Sequence, residues 1–155
     1  TVYGPWGRPD MALFKFTKAI LNNEPIDIYN YGNMVRDFTY VDDVTESIVK
    51  LIFKIPRENK NFDTDFPNSS SSWAPYLIFN IGNSNPITLK DFIEEIEKSL
   101  GVKAIKNYLP MQMGDVPETS SSTKLLEEWI GYKPKTKISD GISNFIKWYR
   151  MYYKV

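Results

Sequence analysis

A change of period recurs along the chain, and it limits the fold more than any other sequence feature. Short runs that alternate apolar and polar residues give way to longer runs whose apolar residues return every three or four positions. Residues 10 to 22 place Leu13, Phe16, Thr17 and Ile20 at helical spacing, and the pattern ends before Pro25. "IDIYNY", residues 26 to 31, alternates as a half-buried strand does, and "RDFTYV", residues 36 to 41, predicts a second short strand after a Gly-Asn turn. Val44, Ile48, Leu51, Ile52 and Ile55 then predict the buried stripe of a helix. Asp43 is its expected N-cap, with Glu46 as the capping-box partner, and Pro56 stops it. "YLIFNIG", residues 76 to 82, is a continuous apolar run closed by glycine, the pattern of a strand buried on both faces. Thr88 is placed to cap a helix carrying Leu89, Phe92, Ile93, Ile96 and Leu100, with Gly101 to end it. "KAIKNYL", residues 103 to 109, predicts a further short strand, and "TKLLEEWIG", residues 123 to 131, a short helix. A last helix starts near Ser139 with Ile142, Phe145, Ile146 and Tyr149 on one face. Helices and strands mixed in this order predict an α/β fold.

Two stretches stand outside the pattern. Residues 56 to 75, "PRENKNFDTDFPNSSSSWAP", are polar with three prolines and a serine run, and are expected to form an exposed loop with the composition of disordered segments. "TVYGP", residues 1 to 5, reads as the tail of a strand entering a turn. Domains rarely begin inside an element, so residues 1–155 are expected to be one portion of a longer chain.

Composition narrows the chemistry. Histidine and cysteine are both absent, which removes thiolate ligands, disulfides, the commonest metal ligand and the usual general base near neutral pH. Catalysis would have to come from Asp, Glu, Lys, Tyr, Ser or Thr, and no metal site is expected. The formal net charge is zero and no basic run occurs, against the many phosphate contacts that nucleic-acid binding needs. No apolar run approaches the length of a membrane span and no signal peptide precedes the first residues, so a cytoplasmic, membrane-free protein is expected.

Few residues offer a ligand site. Arg36 lies between a turn and an alternating strand, where a guanidinium can fork onto two phosphate oxygens as a lysine cannot. The alternative is an ion pair with Asp37 or another carboxylate, and structural ion pairs outnumber ligand sites. Arg8 sits in the Gly- and Pro-bounded loop "GPWGRPDM", where backbone N–H groups can approach an anion or the arginine can simply be solvated. Asp115, in the Gly-Asp turn of "PMQMGDVPE", can accept from a sugar diol or from its own turn backbone. Gly4 and Gly7 do not extend to a dinucleotide fingerprint, because Asp10 takes the third glycine position.

Taken together, "TVYGPWGRPDMALFKFTKAI", "IDIYNYG", "RDFTYVDDV", "YLIFNIGNSNPITLKDFIE" and "MQMGDVPETS" resemble, in order and spacing, the UDP-glucuronate 4-epimerases. These are NAD-dependent extended short-chain dehydrogenases/reductases of the epimerase/dehydratase family. The resemblance implies the C-terminal, substrate-binding part of such an enzyme, with the last strands of its parallel sheet and a small mixed α/β subdomain. Family members carry a Gly-rich loop for NAD and a catalytic Tyr-x-x-x-Lys pair. None of the ten tyrosines here has lysine four positions on, so no catalytic residue and no NAD loop are expected in this chain. In the family, tyrosinate takes the proton of the sugar 4-hydroxyl, and hydride leaves C4 for NAD and returns to the other face after the ring turns.

The resemblance also implies the roles of individual residues. Arg36 would grip the UDP diphosphate, and the backbone of Asp27, Ile28 and Tyr29 would pair with uracil. Asp115 would contact ribose, while Thr1 and Arg8 would lie near the sugar, Arg8 facing its carboxylate. Gln112 stands where many nucleotide-sugar epimerases have a second phosphate arginine, and supplies an uncharged donor instead. Other readings are another nucleotide-sugar epimerase, a sugar 4,6-dehydratase, or a module that binds nucleotide sugars without turnover. By itself the piece is expected to be inactive and to self-associate through strand edges and apolar faces.

Overall fold

The computed structural model describes all residues, 1–155. Strand β1 (Val2–Tyr3) leads through a loop to helix α1 (Ala12–Leu21) and strand β2 (Pro25–Ile28). A 3-10 turn (Tyr29–Gly32) separates β2 from strands β3 (Val35–Arg36) and β4 (Thr39–Tyr40), and helix α2 (Val41–Ile52) follows directly. After a long irregular stretch come strand β5 (Ile87–Thr88), helix α3 (Leu89–Leu100), strands β6 (Ile105–Tyr108) and β7 (Glu118–Thr119), and helices α4 (Lys124–Ile130) and α5 (Ile138–Tyr153). Three small sheets result, as an α/β chain with short strands allows. β1 pairs β4 in parallel and β2 pairs β6 in parallel, while β3 lies between antiparallel β5 and parallel β7. No helix is long and apolar enough to cross a membrane.

The core is a layer of three helices with β2 laid against it. Leu13, Phe16 and Ile20 of α1, Phe92, Ile93 and Ile96 of α3, and Ile142, Phe145 and Ile146 of α5 are all buried in one cluster with Ile26 and Ile28. These are the helical repeats of the sequence, and burying them supplies most of the driving force for the fold. Phe38 stacks on Phe92 at 4.1 Å, tying the β3–β4 segment to α3. Helix α3 has the expected ends: Thr88 Oγ1 accepts from the Asp91 N–H at 3.1 Å, and Gly101 closes the helix in the left-handed conformation.

Several expectations are corrected. "IDIYNY" is strand only to Ile28, because Asn30 and Tyr31 take left-handed backbone angles that turn the chain. "RDFTYV" divides into β3 and β4, which join different sheets. Helix α2 begins at Val41, and Asp43 does not cap it. Its carboxylate is buried and accepts from the Tyr132 hydroxyl at 2.6 Å and from the Thr136 and Lys135 N–H groups at 2.9 and 3.3 Å, clamping α2 to the segment before α5. Burial pushes that carboxyl up, but these hydrogen bonds outweigh it and hold it below the usual range. The predicted buried stripe of α2 is only partly covered: Val44 and Leu51 are half-buried, but Ile48 is exposed, Ile52 is 63% exposed and Ile55, just beyond the helix, 77%. "YLIFNIG" forms no strand, only an isolated bridge between Leu77 and Ser71. No strand of residues 1–155 lies alongside it to complete a ladder, and an unpaired apolar run has nothing to hold it extended. Residues 56–75 contain no helix or strand apart from that bridge.

One buried charge joins helix to sheet. Glu97 of α3 is almost fully buried and accepts from Lys103 Nζ and Lys106 Nζ, each at 2.7 Å, and from the Ala104 N–H at 3.0 Å. Burial alone would push its carboxyl up; the hydrogen bonds from Lys103, Lys106 and Ala104 prevail and bring it down to about 2. The folded value therefore lies below the unfolded one of 4.5. Its stabilisation is complete above pH 4.5 and is lost as pH falls toward 2. Glu97→Gln should lower stability at pH 7 by about 1.5–3 kcal/mol, the range for hydrogen bonds to a charged group. Urea melts across that acid interval should also show a flatter pH dependence in the variant.

Candidate functional site

The candidate site forms where the β2–β6 pair, the β3 strand and the turn before β7 converge. In the β2–β6 register Asp27 lies opposite Asn107, whose side-chain amide donates to the Asp27 carboxylate at 2.7 Å. Because side chains alternate along a strand, Ile26 and Ile28 enter the core and Asp27 turns to the open face. Tyr29, just past the end of β2, lines the same side, and the left-handed Asn30 and Tyr31 then turn the chain. Parallel pairing of β1 with β4 brings Thr1 alongside.

Arg36 is the fixed charge of this region. Its Nη1 donates to the backbone carbonyls of Val35 at 2.9 Å and Pro117 at 3.1 Å. Its Nη2 donates to Asp115 Oδ1 at 2.8 Å, and that oxygen also accepts from the Val116 N–H at 2.8 Å. The pair is partly sheltered, with side-chain exposures of 18% for Arg36 and 34% for Asp115. The turn that delivers Asp115 needs Gly114, whose φ of +85° lies in the left-handed region. Thr1, Asp27, Tyr29, Arg36 and Asp115 line one cavity of about 220 Å³, with Met11, Phe16, Met34 and Leu89 among its apolar walls. A cationic fork, two carboxylates and an apolar wall suit an organic anion that also carries hydroxyl groups.

The remaining expected residues are placed differently. Ile28 lies behind the cavity, its side chain in the core and its carbonyl already accepting from the Leu109 N–H at 2.9 Å. Gln112 is exposed outside the cavity, where its backbone carbonyl accepts from the Asp115 N–H at 3.2 Å and so forms the turn. Arg8 points to solvent, 75% exposed, and forks onto the Asp10 carboxylate. It lines a narrow neighbouring cleft that shares Thr1, Met11 and Ala12 with the main cavity. The structural alternatives for Arg36 and Asp115 are the ones the contacts show. The two pair with each other, Asp115 bonds its own turn backbone, and both still face the cavity.

Asp37 is the residue that sequence reasoning undervalued. It is not the partner of Arg36. Its carboxylate is buried and accepts from the Ser84 N–H at 3.1 Å, the Asn85 N–H at 3.3 Å and the Ser121 hydroxyl at 3.1 Å. It thereby joins the loops before β5 and after β7 to the end of β3, the strand between them. Gly82 lets those loops close up, since a Cβ there would collide with Ser121 Oγ and the Asp37 carboxylate. Nothing local in "RDF" distinguishes this role, because its donors lie 47 to 84 residues away. Met11, Met34 and Leu89 were equally invisible as site residues, being indistinguishable in sequence from ordinary core.

Residues 1–63 match the NAD dependent epimerase/dehydratase family. The chain is 55% identical to Protein CapI of Staphylococcus aureus, covering 99% of this chain and 46% of that protein. It is 50% identical to a probable UDP-glucuronate 4-epimerase of Rhizobium meliloti, again over 99% of this chain and 46% of the relative. The chain thus spans under half the length of these curated relatives. Among solved structures, the UDP-glucuronic acid 4-epimerase of Bacillus cereus, in complex with UDP-glucuronic acid and NAD, superposes with a TM-score of 0.79 at 29% identity, covering 99% of this chain and 44% of that one. The backbone shared with that structure is a part of the extended short-chain dehydrogenase/reductase fold.

If Asp37 holds the site together, Asp37→Ala should lower stability by at least about 2 kcal/mol, because buried donors lose their acceptor. Asp37→Asn, which keeps one acceptor oxygen, should lose less. Denaturant titration of both variants measures the difference.

Proposed function

We propose that this chain, whose residues 1–63 match the NAD dependent epimerase/dehydratase family, is the nucleotide-sugar-holding portion of an enzyme that inverts UDP-glucuronate at C4 to UDP-galacturonate. The observation that carries the reading is the placing of Arg36, Asp115, Asp27, Tyr29 and Thr1 around one cavity by four separate segments of the chain. Relatives and structures named for UDP-glucuronate epimerisation support the choice of substrate.

In this reading Arg36 binds the diphosphate. The two backbone carbonyls on its Nη1 hold the guanidinium plane, so binding does not have to order a free side chain. Asp115 takes the ribose hydroxyls, and the 27–29 backbone faces uracil, with the Tyr29 side chain at the cavity wall. The Ile28 carbonyl is spent in the sheet, which leaves the uracil contacts to its neighbours. Gln112 reaches the diphosphate only if its turn folds inward. Thr1 and the Arg8 loop border the sugar, and Arg8 answers the uronate carboxylate. Its present pairing with Asp10 is at the surface, where ion pairs contribute little and exchange readily.

NAD supplies hydride acceptance and return in such an enzyme. The residues present here do not build a dinucleotide site: the Gly4–Gly7 loop meets Asp10 just ahead of α1, and a carboxylate there repels a pyrophosphate. The binding of NAD and the proton transfer at O4 are therefore assigned to the length of the relatives that this chain does not span. Residues 1–155 alone would be inactive. With the apolar side chains of α2 exposed, they would also self-associate, seen as concentration-dependent elution in size exclusion.

Arg36→Ala should weaken UDP binding by about 1.5–3 kcal/mol, as expected for hydrogen bonds to a charged group. Unchanged affinity in calorimetry would remove the phosphate role. Arg8→Ala should weaken UDP-glucuronate more than UDP, and equal losses would break its link to the carboxylate.

A further inference from the structure

The geometry points to a site in which one guanidinium is shared between an internal carboxylate and the ligand's phosphate, so that tight binding requires donor hydroxyls beside the anion. This rests on the nucleotide-sugar reading above and adds to it a rule of selection.

The donor inventory of Arg36 carries the inference. A guanidinium has five N–H groups. Nη1 donates to the Val35 and Pro117 carbonyls and Nη2 to Asp115. Nε donates to no protein acceptor, so the Nε–Nη2 edge of the planar group carries only the Asp115 contact. That edge matches two oxygens of a phosphate. An anion seated there shares Nη2 with the Asp115 carboxylate and stands next to a like charge, which disfavours it.

Asp115 also supplies the remedy. Its Oδ1 is occupied by Arg36 and the Val116 N–H, while Oδ2 accepts no hydrogen bond from the protein. Hydroxyl donors at Oδ2 spread the carboxylate's charge and offset the repulsion. A bare phosphate or pyrophosphate brings no such donor. A ribonucleoside diphosphate brings a vicinal diol close to its phosphates. The two partners are not equally free to adjust. Two backbone carbonyls hold Arg36, whereas Asp115 sits on an irregular turn with Gly114, so it is the carboxylate that re-aims. The ion pair thereby works against partial ligands while costing the complete one little, discrimination by a built-in repulsive element.

Titration calorimetry on the full-length protein tests this with UDP, 2′-deoxy-UDP and inorganic pyrophosphate, using the parent, Asp115→Asn, Asp115→Ala and Arg36→Ala. The parent should prefer UDP to 2′-deoxy-UDP by about tenfold, the worth of one hydrogen bond to a charged group. Both Asp115 variants should bind pyrophosphate several-fold more tightly than the parent and lose most of the preference for the 2′-hydroxyl. Pyrophosphate affinity that does not rise, that rises only in the Asn variant, or a 2′-hydroxyl preference that persists would overturn the shared-guanidinium inference. If UDP binding still depends on Arg36 in that case, the nucleotide-sugar reading stands without it. UDP binding that ignores Arg36→Ala would overturn both.

Discussion

The buried carboxylate of Asp37 is the contact on which the site depends. β3 is only two residues long, too short to hold its place in a sheet by ladder hydrogen bonds alone. The loops on either side of it are irregular and would drift apart without a common acceptor. Asp37 provides that acceptor for two N–H groups and a hydroxyl, and the missing side chain of Gly82 lets them approach. With the end of β3 held, the neighbouring Arg36 meets the carbonyls of Val35 and Pro117, and its guanidinium is aimed before any ligand arrives. The same loop closure also delivers Asp115 through the segment that ends in β7.

Behind this polar junction, the helical layer provides the rigidity. β2 lies on the α1, α3 and α5 core through Ile26 and Ile28, so the outward position of Asp27 is set by the burial of its two neighbours. Phe38 does the same for the other side of the site by stacking on Phe92. Glu97 and its two lysines then tie α3 to the start of β6, the strand that pairs with β2. Site geometry is thus inherited from apolar packing on one side and from a buried acceptor on the other.

Helix α2 and the unpaired "YLIFNIG" run are both apolar segments that leave large side chains exposed, Ile48 and Ile52 in the one and Tyr76 and Ile78 in the other. The curated relatives are more than twice as long as the stretch matched here. This agrees with the division of labour proposed above, in which this portion holds the nucleotide sugar and the redox chemistry lies elsewhere.

Local sequence alone determined the helices α1, α3 and α5, their buried faces and the Thr88 and Gly101 ends of α3. Apolar periodicity and capping act between residues a few positions apart, so neighbouring letters suffice to read them. The candidate list was also largely present in the sequence, through the resemblance of its motifs. It contained Arg36, Asp115, Asp27, Tyr29 and Thr1, all of which face one cavity, and Arg8, Ile28 and Gln112, which do not. Only the tertiary structure decided that Asp43 clamps a distant segment instead of capping its own helix, that part of the apolar stripe of α2 stays exposed, and that Arg36 pairs with Asp115 while Asp37 is buried elsewhere. Each of these outcomes depends on a partner tens of residues away or on a covering surface. A carboxylate's role is set by which donors the fold brings to it, and that is not written in the residues beside it.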